Sequence, residues 1–370
     1  MRIPVLVVAV LSVAAAACGS GDAGNDPTTT SPAAPTTMPA ESSTTVGDTT
    51  SPAGGGFAVD LDGGRVAAEL VAAFGDLRVH QVAADADVWV TAGDAAAGGE
   101  AFVIRFGLDG SEAARVPDDG RPLGIVIDPD GRGAWFGDAF HGTLEFVDAS
   151  TDSIAARVDG VVSSLGTAIL SDGDSLWSMP SRSTLVEVDP SAAEVVGEYE
   201  VGFESSPGTL VLENGVLWGN DTTIDTVTAV DPAEGTAQIH AVPGPAAMVG
   251  LDDGTMLVSG DEALVVIDPS TGDVSELGGV VYPDKSEAFP ARFTALEWTS
   301  SGLIGFDGVH GRLVRLDLEA LTAVVIDEIP IGFVGVGDLA ESEDGLLWLV
   351  VSGEESDGSP DEHLRRYELG

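Results

Sequence analysis

Cysteine and lysine are almost absent from this 370-residue chain, and each absence excludes a class of function. The only cysteine is Cys18, so the remainder of the chain has neither disulfides nor a thiol nucleophile. The only lysine is Lys285, and 61 acidic residues against 15 basic ones give a net charge of −46. Such a chain repels phosphate backbones, which argues against binding of DNA or RNA. The charge is interpreted as a source of solubility; the alternative is that it attracts cations or a basic partner.

Sequence motifs of common catalytic sites are also missing. The chain has no Gly-x-Ser-x-Gly, no His-Glu-x-x-His and no Gly-x-x-x-x-Gly-Lys-Ser/Thr. Its glycine-rich stretch over residues 332–337 precedes a predicted strand, and therefore presents no helix N-terminus to a phosphate. An acidic stretch over residues 354–362 is interpreted as a solvated loop, although its oxygens suit Ca²⁺.

The first seventeen residues have the pattern of a secretion signal. Arg2 precedes an apolar stretch over residues 3–17 that ends in small residues and is too short for a spanning helix. The segment Ala-Ala-Ala-Cys-Gly around Cys18 resembles the lipobox of bacterial lipoproteins, in which the cysteine is acylated and becomes the mature N-terminus. The resemblance implies lipid attachment at Cys18 and a position on the extracytoplasmic side of the cell membrane. The alternative is an ordinary secretory signal with an incidental cysteine.

Residues 18–56 differ in composition from the rest of the chain. They are mostly Thr, Ser, Pro, Ala and Gly, with hardly any large apolar side chains. Such a segment buries too little surface to offset the entropy of ordering, so we predict a disordered tether. At roughly 3 Å per residue it would reach on the order of 100 Å from the membrane. Residues 57–370 are then the folded domain.

A Trp-centred segment recurs along this domain about every forty residues. The equivalent positions are Trp89, Trp135, Trp177, Trp218, Leu257, Ile304 (or Gly305) and Trp348. Their successive spacings are 46, 42, 41, 39, 47 and 44 residues. Short strands repeated at such a period are typical of a β-propeller, with one four-stranded antiparallel sheet in each repeat. Seven copies predict an all-β domain of seven blades, with the tryptophans in its core.

The chain ends directly after the third strand of the seventh repeat, so that blade lacks an outer strand of its own. Residues 64–71 occupy the matching place before the first repeat. We predict that they form the strand that closes the ring and covers its edge. A short helix is the alternative, because Ala, Glu and Leu favour one. Residues 57–61 also have a strand pattern, without a clear place in the repeat.

Histidines and acidic residues in the predicted loops are candidates for a binding site. His141 and His310 occupy matching loops of the second and sixth repeats, and His363 follows the acidic stretch of the seventh. Asp138 and Asp307 belong to the first two of these loops. Such residues suit a divalent cation, with Ca²⁺ or Mg²⁺ as candidates, near the mouth of the central channel. The alternative is that His-Gly is turn chemistry reused by the repeats.

The repeat resembles that of streptogramin lyase and YncE-like propellers, which are related to the NHL-repeat group. The resembling residues are Leu123-Gly124-Ile125, Asp128-Pro129-Asp130-Gly131, Ala134-Trp135-Phe136, Val147-Asp148, Thr151 and Ile154. The resemblance covers most of residues 78–370 and implies the propeller fold. Streptogramin lyase opens a cyclic depsipeptide with a metal, a histidine and nearby carboxylates, and carries a Glu-x-His pair. This chain has no Glu-x-His, so none of those catalytic residues transfers to it.

Our hypothesis from the sequence is a lipid-anchored, extracytoplasmic binding module without catalytic activity. Its partner would be a protein or a small molecule, with no nucleic acid, and the protein would be a monomer. The alternative is a metal-dependent lyase or hydrolase, similar to streptogramin lyase, that acts at the mouth of the channel.

Overall fold

The structure, a computed structural model, describes residues 8–9, 56–61, 64–75, 77–93, 99–163, 168–201, 208–285, 290–329, 336–354 and 360–369. The regular elements in these ranges are all β-strands. No helix in this part of the chain is long and apolar enough to cross a membrane. Cys18 and nearly all of the predicted tether lie outside the described residues, so lipid attachment stays a prediction. Three strands precede the blades: β1 (Val8–Ala9), β2 (Ala58–Asp60) and β3 (Ala68–Ala73).

Seven antiparallel sheets follow one another along the chain and form the seven blades that the repeat predicts. Blade 1 contains β4 (Arg78–Ala84), β5 (Asp87–Gly93), β6 (Ala101–Gly107) and β7 (Glu112–Asp118). Blade 2 contains β8 (Pro122–Ile127), β9 (Gly133–Asp138), β10 (Thr143–Asp148) and β11 (Ser153–Asp159). Blade 3 contains β12 (Ile169–Ser171), β13 (Leu176–Ser181), β14 (Thr184–Asp189) and β15 (Glu194–Glu200).

The remaining blades repeat this order, in which the first strand is innermost and the fourth outermost. Blade 4 contains β16 (Thr209–Glu213), β17 (Val216–Asp221), β18 (Thr226–Asp231) and β19 (Thr236–Ala241). Blade 5 contains β20 (Met248–Gly250), β21 (Met256–Ser259), β22 (Leu264–Ile267) and β23 (Val274–Gly278). Blade 6 contains β24 (Phe293–Thr299), β25 (Gly302–Asp307), β26 (Arg312–Asp317) and β27 (Thr322–Glu328). Blade 7 contains β28 (Val336–Glu341), β29 (Leu346–Glu354), β30 (Pro360–Glu368) and, from the start of the domain, β3.

The seventh blade is closed by a strand from the other end of the domain. β3 pairs antiparallel with β30, which places Glu69 opposite Arg366, and the two side chains also form an ion pair. The predicted closing strand is therefore confirmed, and the helical alternative is wrong. Because both ends of the domain share one sheet, the last blade does not leave its third strand as an open edge.

The two other early strands extend existing sheets. β2 pairs parallel with β27 and forms a fifth strand on the outer edge of blade 6. This position accounts for the strand pattern of residues 57–61. β1 lies in the predicted signal segment and pairs antiparallel with β16, the innermost strand of blade 4, in the full chain, so the predicted cleavage before Cys18 would remove it.

The Trp position of the repeat lies on the second strand of each blade and faces the next blade. Trp135 packs in an apolar cluster with Leu176 of blade 3, and Trp177 packs in one with Leu217 of blade 4. The exposed fraction of Trp135 is 0% and that of Trp177 is 7%. In blade 6 this position belongs to Ile304, which packs with blade 7. The predicted role of the repeated residue in the core is confirmed.

Most of these buried indole N–H groups find an acceptor in the turn before their strand, which removes the cost of burying a donor. The hydrogen-bonded pairs are Trp135 with Asp128 (2.9 Å), Trp177 with Asp172 (2.7 Å) and Trp348 with Ser342 (3.1 Å). Trp218 differs, because its N–H has no hydrogen-bond partner. Its ring stacks on that of His240 with 5.9 Å between the ring centroids.

Side chains also tie the innermost strands of neighbouring blades together. The side-chain oxygen of Gln81 in blade 1 accepts the N–H of Ile125 in blade 2 at 3.1 Å. A carboxylate oxygen of Asp338 in blade 7 accepts the N–H of Val82 in blade 1 at 3.0 Å. An innermost strand has one edge without a strand partner, so these acceptors satisfy N–H groups that the sheet leaves open.

Glu297 is a second buried acidic residue on the innermost strands, besides Asp338. It lies on β24 opposite Ile304, has an exposed fraction of 6%, and its Oε2 has no hydrogen-bond partner. Burial raises the pKa of Glu297 well above its ordinary value, and the neighbouring carboxyls of Asp338 and Glu341 raise it further. The folded protein therefore keeps this side chain protonated at pH values where the unfolded chain ionises it.

We expect the tryptophans of the repeat to stabilise the ring and the exposed Trp298 to contribute little. Trp135→Ala or Trp218→Ala should lower the free energy of unfolding by about 3–5 kcal/mol, because each removes a large buried side chain between two blades. Trp298→Ala is the control, since Trp298 is 44% exposed. Urea denaturation followed by circular dichroism measures both. Equal losses in all three variants would contradict the assignment.

Glu297→Gln should remove part of the pH dependence of stability. A carboxyl whose folded pKa is raised supports folding below its unfolded pKa of about 4.3, and this support is lost as the pH rises. Between the unfolded and the folded pKa, the wild type therefore loses about 1.4 kcal/mol of its free energy of unfolding for each pH unit, and the variant does not. The stability of Glu297→Gln relative to the wild type should accordingly rise as the pH increases from 4. Urea denaturation at a series of pH values checks this. Glu276→Gln on an exposed outer strand is the control, and parallel pH profiles of the wild type and Glu297→Gln would refute the prediction.

Candidate functional site

The turns between the second and third strands lie at one end of the blades, which we call the upper face. In blades 2, 4 and 6 the second strand ends in an aspartate: Asp138, Asp221 and Asp307. All three are buried, and one carboxylate oxygen of each accepts the N–H of the residue two positions later at 2.8–2.9 Å. This local hydrogen bond gives the three turns a common conformation.

In blade 2, Asp138 organises the turn that carries His141. Its Oδ1 also accepts the N–H of Arg121 at 2.8 Å, and its Oδ2 contacts Nδ1 of His141. A Cβ atom at Gly120 would overlap this carboxylate, so the connection from blade 1 needs glycine at that point. Burial raises the pKa of Asp138, but the N–H of Arg121 and the imidazole of His141 lower it by more. The same hydrogen bond raises the pKa of His141.

Blade 6 repeats this turn with Asp307 and His310. Oδ1 of Asp307 accepts the N–H of Arg292 at 3.2 Å, and Nδ1 of His310 lies 2.6 Å from Oδ2. The ring of Tyr282 meets His310 edge to face, with 5.0 Å between the ring centroids. The two predicted Asp–His pairs therefore occupy equivalent turns in two blades that are not neighbours.

An arginine fills the space beside the turn in blade 6. Arg312 follows Asp307 by five residues and has an exposed fraction of 1%. Its guanidinium lies over the ring of Tyr282, 4.3 Å from the centroid, and makes two hydrogen bonds to Asp284 at 3.0 and 2.5 Å. The acidic residues around this turn thus have a buried cation supplied by the chain itself.

Blade 2 has Thr143 at the position of Arg312 and an acid two residues later. Glu145 lies on β10 and is fully buried. Its Oε1 accepts a hydrogen bond from the hydroxyl of Thr143 at 2.9 Å and forms an ion pair with Nη2 of Arg157 at 2.6 Å. Its Oε2 has no hydrogen-bond partner. One ligand atom from each of Asp138, His141 and Glu145 lies within 4.8 Å of the other two.

Asp118 brings a further carboxyl near this group. It ends β7, the outermost strand of blade 1; the backbone N–H of Gly120 lies close to its carboxyl, and neither oxygen makes a hydrogen bond of normal geometry. Burial raises the pKa of Asp118 to about 7, and the charges of Asp138 and Glu145 contribute to the shift.

Sequence reasoning missed both Glu145 and Asp118. Glu145 carries only a weak signal in the sequence. The strand pairing shows that the equivalent third-strand residue is aliphatic in four blades (Ile104, Val186, Val265 and Val314), but it is Thr228 in blade 4 and the charged Arg365 in blade 7. Asp118 has no such signal, because it comes from the neighbouring blade.

His363, the third predicted histidine, lies in a different setting. It is half-buried on β30, between Val351 of β29 and Ala73 of β3. The three candidate histidines therefore lie in three separate blades. The structure brings together Asp138 with His141 and Asp307 with His310, each pair within its own turn.

The tips of the three equivalent turns carry exposed apolar side chains. Phe140, Ile224 and Val309 have exposed fractions of 65%, 38% and 37%. Their backbones are held by the buried aspartates below them. The upper face therefore combines three apolar tips with a set of acidic groups at blade 2.

Comparison with known proteins identifies the fold. No protein-family model matches the chain, and no curated protein matches it. The chain is similar to the structure of U3-55K, with 14% identity, 81% of this chain and 98% of that chain covered, and a TM-score of 0.58. The chain is also similar to the WD40 repeats of RRP9, with 14% identity, 81% of this chain and 96% of that chain covered, and a TM-score of 0.59. Its similarity to hydrazine synthase of Kuenenia stuttgartiensis has 13% identity, 78% of this chain and 96% of that chain covered, and a TM-score of 0.59.

These similarities define the class of this protein as a seven-bladed β-propeller with WD40 propellers among its structural neighbours. At such identities they show the fold alone, and a propeller supports many unrelated functions. The resemblance of the repeat to streptogramin lyase and YncE-like propellers stays a hypothesis.

Proposed function

We propose that this protein is a lipid-anchored, extracytoplasmic β-propeller that binds a protein partner through its upper face and catalyses no reaction. Cys18 would carry the lipid, and the tether of residues 18–56 would hold the propeller away from the membrane. The WD40-like fold fits a binding module, because such folds present loops on a rigid ring. We expect the protein to act as a monomer.

The observation that carries this proposal is the set of apolar tips. Phe140, Ile224 and Val309 project from turns whose backbones are already hydrogen-bonded to Asp138, Asp221 and Asp307. A preformed turn loses little conformational entropy on binding, which favours affinity. Exposed aromatic side chains surrounded by polar groups are typical of the residues that dominate interface energies.

The surroundings of these tips indicate the chemistry of the partner. Asp119 lies exposed next to the turn of Phe140, and Asp225 lies exposed next to Ile224. With a net charge of −46, the protein attracts positively charged surfaces over long distances. The partner we propose is therefore a protein with an apolar patch bordered by Lys and Arg.

The second candidate function is a metal-dependent lyase or hydrolase that acts at the upper face. One observation favours it, the convergence of Asp138, His141 and Glu145. A reaction would additionally require a substrate placed beside these side chains, and the apolar tips fit a protein surface better. Binding is therefore the function we prefer.

Substitution at the upper face should weaken partner binding without unfolding the ring. A photo-crosslinking amino acid at position 140 or 309 of the full chain should capture one major partner in cells. The same amino acid at position 298 should not, because Trp298 lies exposed at the opposite end of the blade. Phe140→Asp should reduce the affinity for the captured protein about tenfold or more, with an unchanged melting temperature. Equal crosslinking from position 298, or unchanged affinity, would argue against this face.

The lipid anchor makes a separate prediction. Cys18→Ala should abolish incorporation of labelled fatty acid and move the protein from the membrane fraction to the soluble fraction, because the acylated atom is removed. Ser20→Ala is the control and should leave both unchanged. Acyl incorporation that persists in Cys18→Ala would refute the lipid anchor. It would not bear on the proposal that the upper face binds a partner.

A further inference from the structure

We propose that blade 2 contains a divalent-cation site formed by Asp138, His141 and Glu145, with the carboxyl of Asp118 beside it. The site is independent of the partner proposed above, because it rests on the side chains below the turn and not on the apolar tips. The equivalent turn of blade 6 forms no such site.

The first argument is the geometry of the three side chains. Their ligand atoms lie within 4.8 Å of one another although they come from β9, β10 and the turn between them. Bonds of about 2.0–2.2 Å to one ion place its ligand atoms roughly 3–4.4 Å apart. Two of the three residues are fully buried, and His141 is partly exposed, so an ion would enter from the upper face.

The second argument is the set of buried oxygens without a partner. Oε2 of Glu145 makes no hydrogen bond, and the carboxyl of Asp118 has only the backbone N–H of Gly120 close to it; both residues are more than nine-tenths buried. A buried carboxylate without a partner is costly, because it loses its hydration and gains nothing in exchange. Arg157 compensates only Oε1 of Glu145. A cation held by Asp138, His141 and Glu145 would satisfy Oε2 of Glu145 and would offset the charge of Asp118 nearby.

The third argument is the contrast between the two equivalent turns. In blade 6, Arg312 supplies a buried guanidinium, and Val314 stands at the position of Glu145. In blade 2 the corresponding residues are Thr143 and Glu145, so a neutral hydroxyl and an additional acid stand where blade 6 has a buried arginine and a valine. Arg157 pairs with Oε1 of Glu145 from the neighbouring strand, which leaves Oε2 for a cation.

The ligand types select the class of ion. An imidazole nitrogen together with carboxylate oxygens suits Mn²⁺ or Zn²⁺ better than Ca²⁺ or Mg²⁺, which prefer oxygen ligands alone. This differs from the Ca²⁺ or Mg²⁺ named as candidates from the sequence, because a nitrogen ligand among so few oxygens disfavours both ions. Glu145 and His141 are the two residues whose removal should affect binding most.

The test is a titration of the full-length protein after removal of metals with EDTA. Mn²⁺ is added at physiological ionic strength with an excess of Mg²⁺, which suppresses weak binding to the acidic surface. Binding is followed by electron paramagnetic resonance of free Mn²⁺ and by calorimetry, and Zn²⁺ is then added as a competitor. We expect one saturable equivalent of Mn²⁺ that Zn²⁺ displaces.

Variants locate the ion. His141→Ala and Glu145→Gln should each weaken Mn²⁺ binding about tenfold or more. His310→Ala removes the matching histidine of blade 6 and should bind as the wild type does. Glu145→Gln keeps the shape of the side chain, so it remains informative if His141→Ala fails to fold, and the melting temperature in EDTA verifies folding. The proposal is overturned by the absence of saturable binding, by full binding in Glu145→Gln, or by an equal loss in His310→Ala.

Discussion

The packing of each blade against the next is the interaction on which the rest of the structure depends. A single four-stranded sheet of this kind has apolar side chains on both faces, and only its neighbours cover them. The repeated residue, as in Trp135 and Trp177, fills the space between two blades, and the next blade supplies the other wall. The contact between blade 7 and blade 1 closes the ring, and β3 is important because it finishes the sheet that makes this contact.

The closed ring places equivalent turns in a common conformation and leaves their surroundings free to differ. Asp138 and Asp307 make the same hydrogen bonds to their turns and contact the same type of side chain, His141 and His310. The difference lies on the third strand below the turn. Blade 6 has Arg312 and Val314 there, and blade 2 has Thr143 and Glu145 at the same two positions. A repeat can therefore keep a turn for its structural value and acquire a binding site in one copy by changing a neighbour on the third strand.

Charge has two separate roles in this protein. Most of the acidic residues that the structure describes are not buried, so water screens them, and they govern solubility and long-range attraction. The buried acids Glu297 and Asp118 behave differently, because desolvation penalises their ionised form. Glu297 lies between blades near the carboxyls of Asp338 and Glu341, where protonation relieves the penalty. Asp118 lies near Asp138 and Glu145, where the proposed cation would offset the negative charge.

The sequence alone predicts the seven blades, the buried tryptophans and the closing strand, because these features follow from local patterns that recur at a regular spacing. It also predicts that His141 and His310 occupy matching turns. The sequence does not show which blade the strand of residues 57–61 joins, and it does not decide whether Ile304 or Gly305 occupies the Trp position of blade 6. Both depend on how strands pair in the folded domain. The convergence of Asp118 from blade 1 with Asp138 and Glu145 of blade 2 appears only in the tertiary structure. No spacing along the chain encodes it, since it depends on how two neighbouring blades meet.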